Sequence, residues 1–257
     1  MKKPSWYVYR ATCGLARVFF PRPRIEGLEN LPDAPCIIVG NHAQMYAPVY
    51  SELYLPGDRA IWCRAEMMHL REVPAYAFGD FWSKKPAWCR WFYRLLSYAI
   101  APLSVCVFNN AHCIGVYMDS RMMGTMRESL ERLQGGTRIV IFPEHEVPHN
   151  SVVWAFQDGF VNLAHLYARR TGKSLAFVPM YTAPRLKRVV LGAPIYFDAA
   201  ANPGEERRRV CEALMDAVTG LARALPKHRV VPYPNLPRRL HPCNVPDGEA
   251  PSREEHP

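Results

Sequence analysis

The chain has 257 residues, of which 49% are hydrophobic and 12% aromatic, enough for one substantial core in a single domain with a tail. Its formal net charge of +9 favours a polyanionic partner, such as nucleic acid, an anionic lipid surface or a phosphorylated substrate. No helix-turn-helix, zinc-finger or RNA-binding signature accompanies the charge, so we expect no nucleic-acid partner. The eight cysteines are dispersed, without a Cys-x-x-Cys pair, which predicts reduced core residues rather than disulfides or metal ligands.

The first predicted element is a basic amphipathic helix within residues 1–24. Apolar side chains recur there at helical spacing until two prolines end the pattern; these residues are Trp6, Tyr9, Cys13, Ala16, Phe20, Pro21 and Pro23. Six basic residues precede the first acidic residue, Glu26. The pattern predicts a peripheral protein on the cytoplasmic side of an anionic membrane. The alternative is a helix that packs on its own domain.

Residues 25–225 alternate between strand-like and helical patterns. The predicted strands are 36–39, 114–118, 138–142, 175–181 and 189–197, and the predicted helices are 120–133, 156–170 and 205–225. This alternation predicts an α/β domain, a single sheet with helices on its faces, in which ligands bind at the carboxyl ends of strands. His42 and Glu144 both follow such ends.

Two regions are set apart by composition. Residues 62–108 are rich in aromatic side chains and form either a membrane-facing or acyl-chain-binding subregion or an aromatic helical hairpin over the core. The longest uncharged run there, 95–108, has 14 residues and contains Pro102. Since a membrane span needs about 20 residues, we expect none. The last 32 residues, 226–257, contain eight prolines and are predicted to be an extended tail.

Four short blocks, in the right order, resemble the glycerolipid acyltransferase family, which includes lysophosphatidic acid acyltransferases. Residues 40–48 (Gly-Asn-His-Ala-Gln-Met-Tyr-Ala-Pro) and 141–144 (Ile-Phe-Pro-Glu) are similar to that family's Asn-His-x-x-x-x-Asp-Pro and Phe-Pro-Glu-Gly-Thr-Arg motifs. Residues 115–121 and 177–180 fit the remaining two blocks more loosely. The resemblance covers about residues 25–200.

The resemblance implies transfer of an acyl group from an acyl thioester, acyl-CoA or acyl carrier protein, to a hydroxyl of a lysolipid in phospholipid biosynthesis. His42 would be the general base that takes the hydroxyl proton. Residues implied to bind the acceptor are Glu144, Arg121, Asn41 and Pro143. The reaction needs no metal and no cofactor beyond the acyl donor, and the partners are the two substrates, an anionic membrane surface and an acyl carrier protein.

Two positions depart from the family's pattern. The family's aspartate, which would hold the His42 imidazole in its reactive tautomer, corresponds to Ala47. Loss of the equivalent acid in a serine-protease triad costs about 10⁴ in turnover. The family's Gly-Thr-Arg is replaced by residues 145–147, His-Glu-Val, and the acidic Glu146 should weaken phosphate binding. Substitute acids are Glu52, Glu66 or the cluster at 144–146.

The departures keep a second hypothesis open, a lipid-binding or partner-binding protein with the same fold and impaired catalysis. The deciding feature is whether a carboxylate lies within about 3.2 Å of the imidazole nitrogen that faces away from the pocket. A metal site on His145 and His149 is a weaker interpretation, because Pro148 lies between them and the His-Glu-x-x-His order is not met.

Overall fold

The structure is a computed structural model that describes residues 3–83 and 85–245. The chain forms two compact units. Unit 1 comprises Met1–Phe19 and Ala60–Glu128, and unit 2 comprises Phe20–Arg59 and Ser129–Pro257.

Helices and strands alternate along most of the described chain. The helices are α1 (Pro4–Phe19), α2 (Tyr46–Tyr54), α3 (Val73–Ala77), α4 (Arg90–Asn110), α5 (Met122–Gln134), α6 (Asn162–Thr171) and α7 (Pro203–Arg223). The strands are β1 (Arg24–Glu26), β2 (Cys36–Gly40), β3 (Arg59–Arg64), β4 (Cys113–Val116), β5 (Arg138–Ile141), β6 (Glu144–Pro148), β7 (Trp154–Phe156), β8 (Ala176–Ala183), β9 (Arg188–Leu191) and β10 (Ile195–Tyr196).

Unit 2 is built around a mostly parallel sheet. Its strand order is β1-β9-β8-β2-β5, and β10 is paired with β8. Strand β2 runs parallel to both β5 and β8, whereas β9 and β10 are antiparallel to β8. All residues of β2 and β8 are buried, as expected for central strands that helices cover on both faces. The mixed α/β fold with a central sheet flanked by helices is confirmed.

Unit 1 contains the parallel pair β3–β4 and a group of helices. Helix α4 packs against α1 and α3, around a small core of Val73, Ala77 and Ala101. Pro102 is accommodated inside α4. Together with the preceding helical turn, residues Ala87–Asn110 are long and apolar enough to span a membrane, and few of them are buried. The apolar stretch is thus longer than the 14 uncharged residues at 95–108 on which the expectation of no membrane span was based.

Two predicted elements differ in type or continuity. The predicted strand 189–197 is interrupted after Leu191 and resumes at Ile195. Pro194 explains the interruption, because proline cannot donate a hydrogen bond to a strand ladder. The predicted helix 156–170 begins only at Asn162, since Phe156 belongs to the hairpin that β7 forms with β6. The helix was predicted to begin too early because the apolar residues keep a helical spacing from β7, a strand, into α6.

The segment 226–245 has little regular structure, but it packs on unit 2. The Asn244 side chain donates to the carbonyl oxygens of Ala222 and Leu225 over 2.8 and 3.1 Å and accepts from the His228 amide over 2.8 Å. The His228 ring in turn meets the Tyr181 hydroxyl at 2.9 Å. These contacts hold the segment on α7 and β8. Residues 246–257 of the predicted tail and residues 1–2 lie outside the described residues.

Candidate active site

The end of β2 is held tightly against β8. A Cβ at Gly40 would lie 2.6 Å from the carbonyl oxygen of Met180, so only glycine fits there. The Asn41 side chain accepts the Thr182 amide over 2.8 Å and donates to the Thr182 carbonyl oxygen over 3.1 Å. Asn41, predicted to bind substrate, therefore uses its amide group to fix the strand from which His42 emerges.

The loop after His42 has a strained backbone. Ala43 and Gln44 have φ angles of 46° and 56°, the left-handed region that side chains larger than glycine rarely adopt. The loop closes through hydrogen bonds from the Tyr46 amide to the Ala43 carbonyl and from the Ala47 amide to the His42 carbonyl, at 3.2 and 3.4 Å. This tight turn places Ala47 one turn beyond His42, the relation that the family motif requires.

Glu144 braces that loop. Its carboxylate accepts the backbone N–H of His42 over 2.5 Å and the backbone N–H of Trp154 over 2.9 Å. Burial raises the pKa of Glu144 to about 7, and the two N–H bonds oppose that shift because they favour the carboxylate. Both carboxylate oxygens are thus engaged within the protein, and the side chain joins the His42 loop to the β6–β7 hairpin.

The His42 ring lies between two aromatic rings. Phe142 and Tyr233 make edge-to-face contacts with it at centroid distances of 5.6 and 5.7 Å. Burial lowers the pKa of His42 because it disfavours the imidazolium, although backbone groups of Gln44 and of His42 itself partly oppose the shift. The ring is therefore neutral at pH 7, the state that a general base requires.

No acid of the described residues pairs with the imidazole Nδ1. The His42 Nδ1 atom is buried and has no hydrogen-bond partner among the described residues. Ala47 is fully buried and packs with Ala43 and Val231. Of the substitute acids, Glu144 binds backbone amides, Glu66 belongs to unit 1, and Glu52 lies on α2. Apolar side chains have replaced the carboxylate.

The remaining predicted site residues have other partners. Pro143 is buried beside Glu144, and its carbonyl oxygen accepts the Gln157 amide over 2.9 Å. Arg121 belongs to unit 1, where it binds Asp119 at 2.7 Å and Glu72 at 3.6 Å and lies 3.4 Å from the Tyr117 ring centroid. The structure brings His42, Asn41, Pro143 and Glu144 together in unit 2, whereas the Arg121 charge is already offset by two carboxylates.

His145 and His149 do not meet the geometry of a helical metal site. Residues 144–148 form strand β6, in which positions four apart are separated by about 13 Å. In the described ranges, 3–83 and 85–245, no cluster of three or more potential His, Cys, Asp or Glu ligands is present.

Val231 and Tyr233 were not predicted as site residues. Both belong to the proline-rich segment, which composition predicted to be an extended tail. The one available signal was the apolar pair Val230–Val231 within that segment, because an apolar run between prolines predicts burial rather than solvation.

His42 and Glu144 thus lie at the carboxyl ends of neighbouring parallel strands, the edge at which open α/β sheets bind ligands. A protein-family model described as Acyltransferase matches residues 22–183. The chain belongs to this acyltransferase family, which confirms the resemblance found in the motifs. The matched region includes the His42 loop and Glu144 but ends before the segment that carries Tyr233.

Among solved structures, the chain is similar to the 1-acyl-sn-glycerophosphate (LPA) acyltransferase PlsC from Thermotoga maritima. The two chains are 16% identical, with a TM-score of 0.49, over 84% of this chain and 79% of that chain. A search of curated proteins gave no match.

Proposed function

We propose that the protein transfers an acyl group from an acyl thioester, acyl-CoA or acyl carrier protein, to a hydroxyl of a lysolipid such as 1-acylglycerol-3-phosphate, with His42 as the general base. The observation that carries this proposal is the neutral His42 ring, held at the carboxyl end of β2 by a loop that Glu144 braces. Open α/β sheets bind their ligands at this edge.

In the proposed reaction the acceptor hydroxyl oxygen attacks the thioester carbonyl carbon while the His42 imidazole takes the hydroxyl proton. The tetrahedral intermediate then collapses, the carbon–sulfur bond breaks, and the imidazolium returns the proton to the leaving thiolate. The products are an ester and a free thiol. The residues contribute a base and its orientation, and no redox step or metal is part of the proposal.

Glu144, Asn41 and Pro143 are assigned positioning roles in this scheme. Each forms hydrogen bonds with backbone groups next to the His42 loop. Misplacement of a reacting group by about 1 Å costs about 10²-fold in rate, so a brace of this kind supports catalysis without touching the substrate.

A second candidate function is lipid binding by a catalytically impaired relative of these enzymes. The observation that favours it is the missing partner of His42 Nδ1, together with the apolar packing of Ala47 against Val231. Without an acid the imidazolium is less stable, and the rate of a histidine-assisted transfer falls.

We also propose that the protein is peripheral to the cytoplasmic face of an anionic membrane, to which unit 1 attaches it. Helices α1 and α4 expose large apolar side chains, namely Tyr7, Leu15, Val18, Phe19, Trp91, Phe92, Leu95 and Tyr98. Arg10 and Arg17 on α1 add positive charge. Aromatic and basic side chains on one helix are typical of binding at the headgroup level.

The test of the catalytic proposal is an acyl-transfer assay with purified protein, several lysolipids and a labelled acyl thioester. We expect ester product from the wild type and loss of product to background in His42→Ala. His112→Ala, an exposed histidine of unit 1, is the matched control and should retain the wild-type rate. If the wild type is active and His42→Ala equals it, histidine-base catalysis is wrong; if no lysolipid is acylated while lipid is bound, the binding function stands instead.

A further inference from the structure

Unit 2 contains a polar cavity where the C-terminal segment meets the loop that follows His42. Its volume is about 390 Å³. Gln44 and Tyr46 of the loop line one side, Arg185 follows β8, and Arg238 and His241 belong to the C-terminal segment. The family match ends at residue 183, before all three of the latter residues, so the matched family region does not supply the charged part of the cavity.

The cavity carries positive charge that no described residue neutralises. None of the described residues that line it is acidic. Within the described part of the chain, neither Arg185 nor Arg238 forms an ion pair. By contrast, Arg188 binds Glu26 at 2.5 Å and Arg209 binds Glu206 at 2.6 Å. Two unpaired guanidinium groups at one cavity favour an anion with several oxygen atoms, such as a phosphate.

His241 indicates a second property of the ligand, a hydrogen-bond donor. The residue is only 4% exposed, its Nε2 lies 3.2 Å from the Leu236 carbonyl oxygen, and its buried Nδ1 has no hydrogen-bond partner. A carbonyl oxygen only accepts, so Nε2 carries a hydrogen, and in this tautomer Nδ1 is an acceptor. Because buried polar atoms are nearly always paired, this atom requires a donor such as a hydroxyl group.

We infer that this cavity binds a phosphate monoester carried on a hydroxylated carbon chain. Arg185 and Arg238 hold the phosphate oxygens, and His241 Nδ1 accepts a hydroxyl hydrogen. The site lies beside Gln44 and Tyr46, which follow His42 in the chain, so its occupant is the headgroup of the acyl acceptor. That identification of the occupant rests on the proposed function, whereas binding of the phosphate ester does not.

Phosphate binding in this cavity would not depend on the family's Gly-Thr-Arg motif, which is altered in this chain. Glu146 stands in the position of the family's basic region, and Arg121 is paired with Asp119 and Glu72. Arg185 and Arg238 supply two cationic groups that no carboxylate of residues 3–83 and 85–245 offsets.

The first arm of the test measures binding by the full-length protein with calorimetry. The probes are glycerol 3-phosphate, inorganic phosphate and glycerol at millimolar concentration. We expect the wild type to bind glycerol 3-phosphate more tightly than inorganic phosphate and glycerol least. In Arg185→Ala/Arg238→Ala the affinity for glycerol 3-phosphate should fall by about 10- to 100-fold, the effect of losing charge-assisted hydrogen bonds.

Arg239→Ala is the matched control, since Arg239 is an exposed arginine next to Arg238 that does not line the cavity. It should bind as the wild type does. Arg238→Lys keeps the charge and should retain most of the affinity, and the melting temperatures of all variants show whether they are folded. The inference is overturned if the wild type binds neither phosphate compound or if the double variant binds glycerol 3-phosphate as tightly as the wild type.

The second arm compares acyl transfer to a phosphate-bearing lysolipid and to an uncharged monoacylglycerol. We expect the double variant to raise KM for the phosphate-bearing acceptor by about 10-fold or more, and to leave KM for the uncharged acceptor unchanged. Lost binding in the first arm with unchanged kinetics would overturn the identification of the occupant as the acceptor. If the wild type binds glycerol 3-phosphate but acylates no lysolipid, the site stands and the proposed function fails.

Discussion

The two units place their large apolar residues in opposite ways. In unit 2 the strands β2 and β8 bury every residue, including Ile37, Phe177 and Tyr181. In unit 1 the buried residues of α4 are small, namely Ser97, Ala101 and Ser104, whereas several of its large apolar side chains are exposed, among them Trp91, Phe92, Leu95 and Leu103. Unit 2 thus forms a conventional water-excluding core. Unit 1 presents an apolar surface that water does not favour.

The polar groups of unit 2 show where chemistry is placed. Asn41, Glu144 and Asn244 are buried, and their side chains are hydrogen-bonded to backbone groups. Two of the buried side-chain atoms left without a partner are the Nδ1 atoms of His42 and His241. Because an unpaired buried polar atom costs free energy, such atoms are expected where a substrate or ligand completes the pairing. The contrast between the units therefore matches the two proposals, acyl transfer by unit 2 and membrane attachment by unit 1.

The largest expected effect comes from restoring the acid at position 47. Ala47→Asp, combined with Val231→Ala to make room, should raise kcat/KM for acyl transfer by about 10²- to 10⁴-fold, by analogy with protease triads. The carboxylate would meet the unpaired imidazole one turn away and stabilise the imidazolium. Steady-state kinetics with a labelled thioester measures the gain.

Ala47→Asn with Val231→Ala is the matched control for this gain. It has nearly the same shape but no charge, so it cannot stabilise the imidazolium and should give a much smaller increase. Equal gains in kcat/KM for asparagine and aspartate, or no gain for either in a folded and active protein, would contradict this prediction. The missing negative charge at position 47 would then not limit the rate of acyl transfer.

Local sequence patterns predicted the strands that deliver His42 and Glu144, because a short apolar run followed by polar residues indicates a buried strand end. The motif at 40–48 also located the loop. The pairing of Glu144 with the His42 amide could not be predicted, since 102 residues separate the two atoms and no pattern specifies a backbone partner. Tyr233 was missed because prolines around it indicate an extended chain, whereas its contact with the His42 ring requires the segment to fold back on unit 2, where His228 and Asn244 hold it.

A smaller effect is expected from removing the brace. Glu144→Ala leaves two buried backbone N–H groups without acceptors, each worth about 1–3 kcal/mol, so the free energy of unfolding near pH 5 should fall by about 2–4 kcal/mol. Urea denaturation measures it. Glu146→Ala removes an exposed carboxylate two residues along β6 and should change stability by less than about 0.5 kcal/mol.

The pH dependence sharpens the test of the brace. Burial raises the pKa of Glu144 to about 7, so the folded state keeps a proton that the unfolded state releases above about pH 4.5. The contribution of Glu144 to stability therefore falls as pH rises from about 4.5 to 7, and the difference in the free energy of unfolding between wild type and Glu144→Ala should narrow over that window. A gap that widens instead would place the charged carboxylate, not the protonated one, in the stable fold.

The smallest effect concerns the apolar surface of unit 1. Trp88 and Trp91 are exposed by 80% and 69%, so the double change to alanine should leave folding intact. It should weaken sedimentation with anionic vesicles by about 10-fold, since loss of partly buried aromatic area costs about 1.4 kcal/mol or more. Tyr196→Ala, which changes an exposed aromatic residue of unit 2, is the control and should sediment as the wild type does.

High salt should release part of the bound protein, because it screens the charges of α1 and leaves the aromatic contribution in place. Deletion of residues 1–24 should weaken sedimentation as well; if that deletion and the tryptophan changes both leave it unchanged, unit 1 is not the membrane-binding unit, and its exposed side chains require another partner.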